Sequence, residues 1–219
     1  MAILIQVSEL SLFTDDKEPL LQNISFSVEE GDITVISGLP PSSQSALLNT
    51  LIGEITPDSG QILLVGRNVV RISRKKILAM RKEDIGFLPA RFSFPERTVH
   101  DCLRFKMEAL GRPYETPTKI DETLQQIGLK QKGDSLPGDL SLLERRKLAI
   151  GLSIVNRPAL LVCEEPFREL NREAGESLLE LLTNLRDDRD ITTLLAVSDF
   201  TEHEAVTTIQ LNGGRPFTP

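Results

Sequence analysis

The chain has 219 residues, of which 40% are apolar and 26% charged. This supplies a packed core for one to two domains and excludes a disordered polymer. Lys and Arg number 25 against 32 Asp and Glu, a formal charge of −7, so nucleic acid is not an expected partner. The two cysteines, Cys102 and Cys163, lie far apart and have no metal or redox spacing, so they read as reduced thiols of a cytosolic protein. No apolar run reaches the roughly 18 residues of a membrane span. Met1 to Leu10 lacks a basic stretch followed by an apolar core, so no signal peptide is expected.

Ile3 to Leu12 and Leu20 to Val28 alternate apolar and polar residues, the pattern of half-buried strands. A polar turn, Thr14 to Pro19, separates them, and Glu29 to Asp32 forms a second turn. Ile33 to Ser37 reads as a buried strand that stops at Gly38. Gly38 to Ser45 has no regular pattern, so a loop is expected there. Ala46, Leu47, Leu48, Leu51 and Ile52 then follow helical spacing, ended by Gly53. Thr56 to Gly60 is strong turn chemistry, and Gln61 to Val65 is a short strand. Arg67 to Lys82 holds seven positive residues and no negative one. That run reads as a solvated helix face, with contact to anionic lipid or an acidic partner as the alternative.

Ile85 to Leu88 is another buried strand. Helices are expected over Thr98–Leu110, Lys119–Ile127 and Leu140–Val155, and again from Glu173 to Leu185. Wholly apolar strands are expected at Ala159–Cys163 and Ile191–Val197, with a last strand near Thr207–Leu211 and a turn at Gly213-Gly214. Strands, then strand–helix alternation, then a helical block, then strands again imply an α/β core with a helical insertion.

The strand–loop–helix at Ile33 to Ile52 is the setting for a P-loop, G-x-x-x-x-G-K-[ST]. The eight positions read Gly38-Leu39-Pro40-Pro41-Ser42-Ser43-Gln44-Ser45, which keep the first Gly and the final Ser but not the second Gly or the Lys. Pro40 and Pro41 have no N–H to offer a phosphate. Ser43 carries a Cβ where Gly is preferred. Gln44 is neutral where Lys brings charge.

Further segments run in an order that resembles the nucleotide-binding subunit of ABC transporters over nearly the whole chain. They are Leu21–Val28 followed by Glu30-Gly31-Asp32, Leu47–Gly53, Pro57–Ile62, Arg97–Leu103, and Arg157–Leu161 leading into Glu164-Glu165-Pro166-Phe167. The similarity is greatest to the small ATPases of cell-division and lipoprotein-release transporters. The resemblance implies a P-loop NTPase-like α/β core with an N-terminal antiparallel β subdomain and an inserted helical subdomain. It implies one domain over 1–219, with the core at 1–88 and 156–219 and the helical part at about 89–155.

The resemblance also assigns roles. Gly38, Ser42, Ser43, Gln44, Ser45 and Ala46 occupy the nucleotide-binding loop, with Phe13 as the candidate that stacks adenine. Ser45 and Glu164 are the magnesium positions, and Glu165 is the general base. Leu140-Ser141-Leu142-Leu143-Glu144 stands where the family's signature Leu-Ser-Gly-Gly-Glu completes the partner's site. Ser141 and Glu144 keep it, while Leu142 and Leu143 replace glycines. Ala90 takes the Q-loop glutamine position, Asn171 the D-loop aspartate position and Ser198 the switch-histidine position. The histidines present, His100 and His203, fall elsewhere and read as surface residues.

A scaffold that keeps its fold signals while losing phosphate chemistry implies a structural or regulatory part. The expected function is a degenerate ATP-binding subunit with weak or absent hydrolysis. Its partners are a membrane permease, contacted at about Leu88 to Leu110 with Phe92, Phe94 and Phe105 as apolar contributors, and a second such subunit, identical or different. Its expected place is cytoplasmic, at the inner face of the membrane, and ATP and Mg2+ are doubtful cofactors. The alternatives are an active ATPase using Glu165, and a soluble regulator outside transport.

Overall fold

The computed structural model describes residues 2–112, 116–198, 204–212 and 215–216. His203 and the Gly213-Gly214 turn lie outside the described residues. Strands β1 (Ile3–Phe13) and β2 (Pro19–Glu29) pair antiparallel, and β1 also pairs antiparallel with β4 (Ser59–Leu64), which continues to β5 (Arg67–Asn68). The order of this sheet is β2-β1-β4-β5. The second sheet contains β3 (Ile33–Ser37), β6 (Ile85–Leu88), β7 (Leu160–Glu164), β8 (Thr192–Ala196), β9 (Thr207–Asn212) and β10 (Arg215–Pro216). Its order is β10-β9-β3-β8-β7-β6, parallel except for the antiparallel β10 edge.

The apolar strands of the parallel sheet are buried on both faces, as crossover helices require. Side chains alternate between two cores with the period of a strand. Ile36, Leu160, Val162, Leu194 and Ala196 face one core, shared with the antiparallel sheet and with helix α1 (Pro41–Leu51). Ile33, Val35, Leu161, Cys163 and Leu195 face the other. That second core takes up helices α3 (Val99–Ala109), α4 (Thr116–Gln126), α5 (Leu142–Ile154) and α6 (Arg172–Arg189). Each fully buried Leu or Ile in these layers contributes about 1.5–3 kcal/mol. The basic run begins in β5 with Arg67 and ends in helix α2 (Arg74–Glu83), whose Met80 is its buried residue, so the helical part of the run presents a solvated face.

The expected elements are present with shifts at their ends. The largest departure is at the loop. The sequence pattern marks residues 38–45 as a loop, yet α1 begins at Pro41 and the Gln44 N–H bonds the Pro40 carbonyl at 2.9 Å. Pro41 sits in the first helical turn, where its missing N–H costs nothing and its fixed φ favours the helix. The prolines that deprive the loop of donors also let the helix start early.

Two glycines fix how helices meet the parallel sheet. Gly38 has φ +81°, and a Cβ there would lie 2.3 Å from the Leu211 carbonyl oxygen on β9. A Cβ on Gly86 of β6 would lie 2.3 Å from the Ser153 carbonyl oxygen on α5.

Candidate functional site

Three segments meet at the carboxyl ends of the parallel strands, where open α/β sheets place their ligands. They are the β3–α1 connection, the end of β7, and the residues after β8. Together with Pro89, Ala90 and Arg91 after β6 they line a cleft of about 660 Å³.

Glu164 ends β7 and is buried at 8% exposure. Its Oε1 accepts a hydrogen bond from the Ser45 hydroxyl on α1, and its Oε2 accepts from the Ala90 N–H at 3.2 Å. Both oxygens are therefore engaged within the chain. Glu165 follows in a left-handed conformation, φ +49°, which is strained for a residue with a side chain. Its N–H is tied to the Ala196 carbonyl of β8 at 2.8 Å. Glu165 Oε1 accepts from the Ser198 N–H at 2.7 Å and from the Ser198 hydroxyl. Ser198 thus binds the Glu165 carboxylate through both its N–H and its hydroxyl.

Gln44 links the remaining pieces. It is 1% exposed, and its Nε2 donates to the Leu39 carbonyl at 3.0 Å and to the Ser198 Oγ at 3.3 Å. Its Oε1 is buried without a partner among the described residues. The carboxamide is folded across the start of α1, so it brings neither charge nor a free donor to the mouth of the cleft.

The structure thus brings Gln44, Ser45, Glu164, Glu165 and Ser198 to one cleft. The other loop positions stand differently. Ser42 is exposed, Ser43 is buried, and none of Gly38, Ser42, Ser43 and Ala46 lines the cleft. Ala46 faces the first core at 5% exposure, so it adds packing rather than a polar contact. Phe13, the adenine-stacking candidate, closes β1 half-buried with its N–H bonded to Asp58 Oδ2 at 2.9 Å, and it does not line the cleft either.

The signature positions form the start of α5. Ser141 Oγ accepts from the Glu144 N–H at 3.2 Å, and Glu144 Oε2 accepts from the Ser141 N–H at 2.8 Å, a complete capping box. That backbone bond, with Lys132 and Lys147 nearby, holds the Glu144 carboxyl below its ordinary range. Leu142 and Leu143 are half-buried, and Leu143 packs against the second core. None of these four residues lines the cleft of their own chain. Asn171 caps α6 through Oδ1, which accepts from the Ala174 N–H at 2.9 Å.

Sequence reasoning missed two cleft residues, Arg91 and Arg168. No local sequence signal marks them: they lie beside Ala90 and three residues after Glu165 but belong to no motif. Beside them Arg146 is 5% exposed on α5, with its guanidinium 5.0 Å from the Phe92 ring centroid and its NH2 bonded to the Arg168 carbonyl at 3.3 Å. Burial lowers the Arg146 pKa from its ordinary value. Burial likewise pushes the Cys163 thiol far up, so it stays protonated and unreactive. Of the expected aromatic contact residues, Phe92 and Phe94 pack edge to face, centroids 5.3 Å apart, against the second core. Phe105 is 49% exposed, with Arg97 over its ring.

The chemistry of the donor set can be stated from this geometry. Two carboxylates and the Ser45 hydroxyl are oxygen donors suited to a hard cation such as Mg2+. At the β3–α1 connection the Gln44 N–H bonds the Pro40 carbonyl inside the helix, and Gln44 is neutral.

Comparison with known proteins places this arrangement. The ABC transporter family model matches residues 21–168. The chain is 28% identical to the ABC transporter ATP-binding protein YtrE of Bacillus subtilis over 84% of this chain and 81% of that one. It is 30% identical to the methionine import ATP-binding protein MetN of Carboxydothermus hydrogenoformans, over 88% of this chain but 58% of that protein. With the sulfate/thiosulfate import ATP-binding protein CysA of Mycobacterium tuberculosis it shares 32% over 83% of this chain and 51% of that protein. The chain therefore spans little more than half the length of the two import proteins. Its fold matches cbiO1 of Clostridium perfringens, part of the ABC transporter complex cbiONQ, with a TM-score of 0.90 at 22% identity, covering 100% of this chain and 88% of that one. It also matches the dimeric cassette MJ0796 with a TM-score of 0.82 at 19% identity, covering 97% and 96% of the two chains. By its fold, its strand-end cleft and the match over residues 21–168, this chain belongs to the ABC transporter family as an ATP-binding domain.

Proposed function

We propose that this chain is the ATP-binding subunit of an ABC transporter whose own cleft hydrolyses ATP weakly or not at all, and that it serves a membrane permease and a second ATP-binding subunit as a structural or regulatory partner. The observation that carries this reading is the Gln44–Ser198–Glu165 chain of hydrogen bonds. In it a neutral carboxamide replaces the lysine, and a serine replaces the histidine and occupies the general base. A lost hydrogen bond to a charged group costs about 1.5–3 kcal/mol. Losing the lysine at the loop and the imidazole at the switch therefore removes several powers of ten in phosphate binding and turnover together.

Ser45 and Glu164 are the residues that would hold Mg2+, and Glu165 would activate water. ATP, when bound, supplies the phosphate anhydride whose cleavage drives transport. The chain's own part is to position these oxygens. Leu142 and Leu143 add bulk where the partner's nucleotide is expected to approach, so both sites of a dimer are affected. Residues 89–155 serve as the helical subdomain, and residues 1–88 with 156–219 as the core.

Contact with a permease is supported by a groove of about 520 Å³ lined by Ile52, Leu78, Phe87 and Leu110 together with Lys82 and Lys106. Leu78 is 50% exposed there, and burial lowers the Lys106 pKa. This attachment would hold the chain at the cytoplasmic face of the membrane, where no helix among the described residues is long and apolar enough to span it.

The active-ATPase reading has one observation in its favour: Ser45, Glu164 and Glu165 line one cleft. Calorimetric titration with ATP and Mg2+, with turnover measured beside it, separates the two. Turnover abolished by Glu165→Gln establishes the active enzyme. Absent turnover with stable association to a permease establishes the degenerate subunit.

A further inference from the structure

The cleft's oxygen donors are largely spent, while its cations are not. Glu164 uses both carboxylate oxygens on Ser45 and Ala90, and Glu165 binds Ser198. Arg91 is exposed and has no ion pair among the described residues. Arg168 is 47% exposed in its side chain, and its one ion pair among the described residues is a loose, solvent-exposed contact of Nε with Glu169 at 3.7 Å. Its backbone is nonetheless fixed, by the Arg146 bond to its carbonyl and by its own N–H to the Glu165 carbonyl at 3.2 Å. The charged donors left for an incoming ligand are therefore two guanidinium groups. They sit beside the start of α1, which has no acidic residue in its first turn and no capping side chain.

We propose that Arg91 and Arg168 form a phosphate-binding rim that takes a multivalent phosphate chain in place of the missing loop lysine. The proposal rests on reading this cleft as the family's nucleotide site. Guanidinium forks bind phosphate oxygens bidentately and stay charged in any environment, which a single ammonium replaced by Gln44 no longer offers. The two carboxylates offset the two arginines, so a monovalent anion gains little net attraction. A di- or triphosphate can engage both forks at once, and a cleft of about 660 Å³ has room for it. In this pose the phosphates sit at the rim, outside the closed start of α1. The chain is then a binder of phosphate that holds it away from the occupied Glu165.

The test is calorimetric titration of the full chain with pyrophosphate, with ATP, and with adenosine. The proteins compared are wild type, the double variant Arg91→Gln/Arg168→Gln, and the control Arg172→Gln, whose side chain is 92% exposed on α6. Wild type and the control are expected to bind pyrophosphate and ATP but not adenosine, with affinity falling as salt rises. Affinity in the double variant should fall roughly tenfold or more per arginine, the cost of a lost charged hydrogen bond. Tighter binding of ATP than of pyrophosphate identifies a nucleotide as the ligand, and equal binding an inorganic polyphosphate; both support the rim. Pyrophosphate binding that is absent at millimolar concentration, or unchanged in the double variant, overturns it. Turnover of ATP by wild type in the same samples overturns the weak-hydrolysis reading and the pose away from Glu165 but not the rim itself, because the affinity loss in the double variant is read independently.

Discussion

The starts of α1 and α5 are both helix N-termini at motif positions, and they have been closed in different ways. At α5 the closure is local. Ser141 and Glu144 satisfy each other's backbone within one turn, and Leu142 and Leu143 follow, half-buried. At α1 no side chain caps the helix, and Pro40 and Pro41 lead straight into it. There the polar side chains reach outward to other strands, Gln44 toward Ser198 and Ser45 toward Glu164. The difference teaches that one start is a self-contained cap, whereas the other is a clasp between three strand ends. Substitutions at α5 should act on one helix, and those at α1 should act on the sheet edge and on the cleft together.

The largest effect is expected behind α1. Gly38→Ala forces a Cβ to within 2.3 Å of the Leu211 carbonyl at positive φ, so a loss of about 3 kcal/mol is expected in urea unfolding. A loss below about 1 kcal/mol would mean that β9 does not bear on the loop and that the clasp is loose. Next comes Gln44→Ala, which deletes two hydrogen bonds made by a buried carboxamide and should cost about 1–2 kcal/mol. The same change removes one of the two partners of the Ser198 hydroxyl while its N–H stays on Glu165 Oε1, so amide exchange at Ser198 should speed up modestly with it. Unchanged exchange would sever the link between loop and switch. Ser141→Ala should cost about 1 kcal/mol as a lost cap. Ser42→Ala, at the exposed and uncapped α1 start, should stay within about 0.5 kcal/mol. Equal costs at Ser141 and Ser42 would erase the contrast between the two starts.

Much of this was legible in the sequence, for physical reasons. Runs such as Ile33–Ser37 and Leu160–Cys163 are apolar because both faces of a parallel strand are buried, so their continuity announces them. Ser141 and Glu144 stand at capping-box spacing, which is itself a sequence signal. The cleft's carboxylates and serines were found through the resemblance. Three things were not legible. The helical start at Pro41 was hidden because prolines serve as breakers and as first-turn residues alike. The bond from the Phe13 N–H to Asp58, which fixes the end of β1, joins residues 45 apart and has no local sequence signal. Arg91 and Arg168 belong to no motif, and they come together through the parallel pairing of β6 with β7, a long-range contact that no local pattern reports.

The smallest effect is the most specific to the contrast, because it depends on charge alone. Glu144 is held below the ordinary carboxylate range by the Ser141 N–H first, and then by Lys132 and Lys147. A carboxyl whose folded pKa is depressed contributes stability that is present above its unfolded value of about 4.3 and is lost as pH falls through the folded pKa. The advantage of wild type over Glu144→Gln should therefore hold at neutral pH and vanish in acid below that folded value. The glutamine keeps an acceptor for the Ser141 N–H, so what disappears is the charged part of the cap, including its attraction to the helix N-terminus. The α1 start has no acidic residue in its first turn, so Ser42→Ala should show no corresponding pH dependence. A difference between wild type and Glu144→Gln that is the same in acid and at neutral pH would mean the box works by geometry alone, and the distinction between the charged cap at α5 and the α1 start, with no acidic residue in its first turn, would fall.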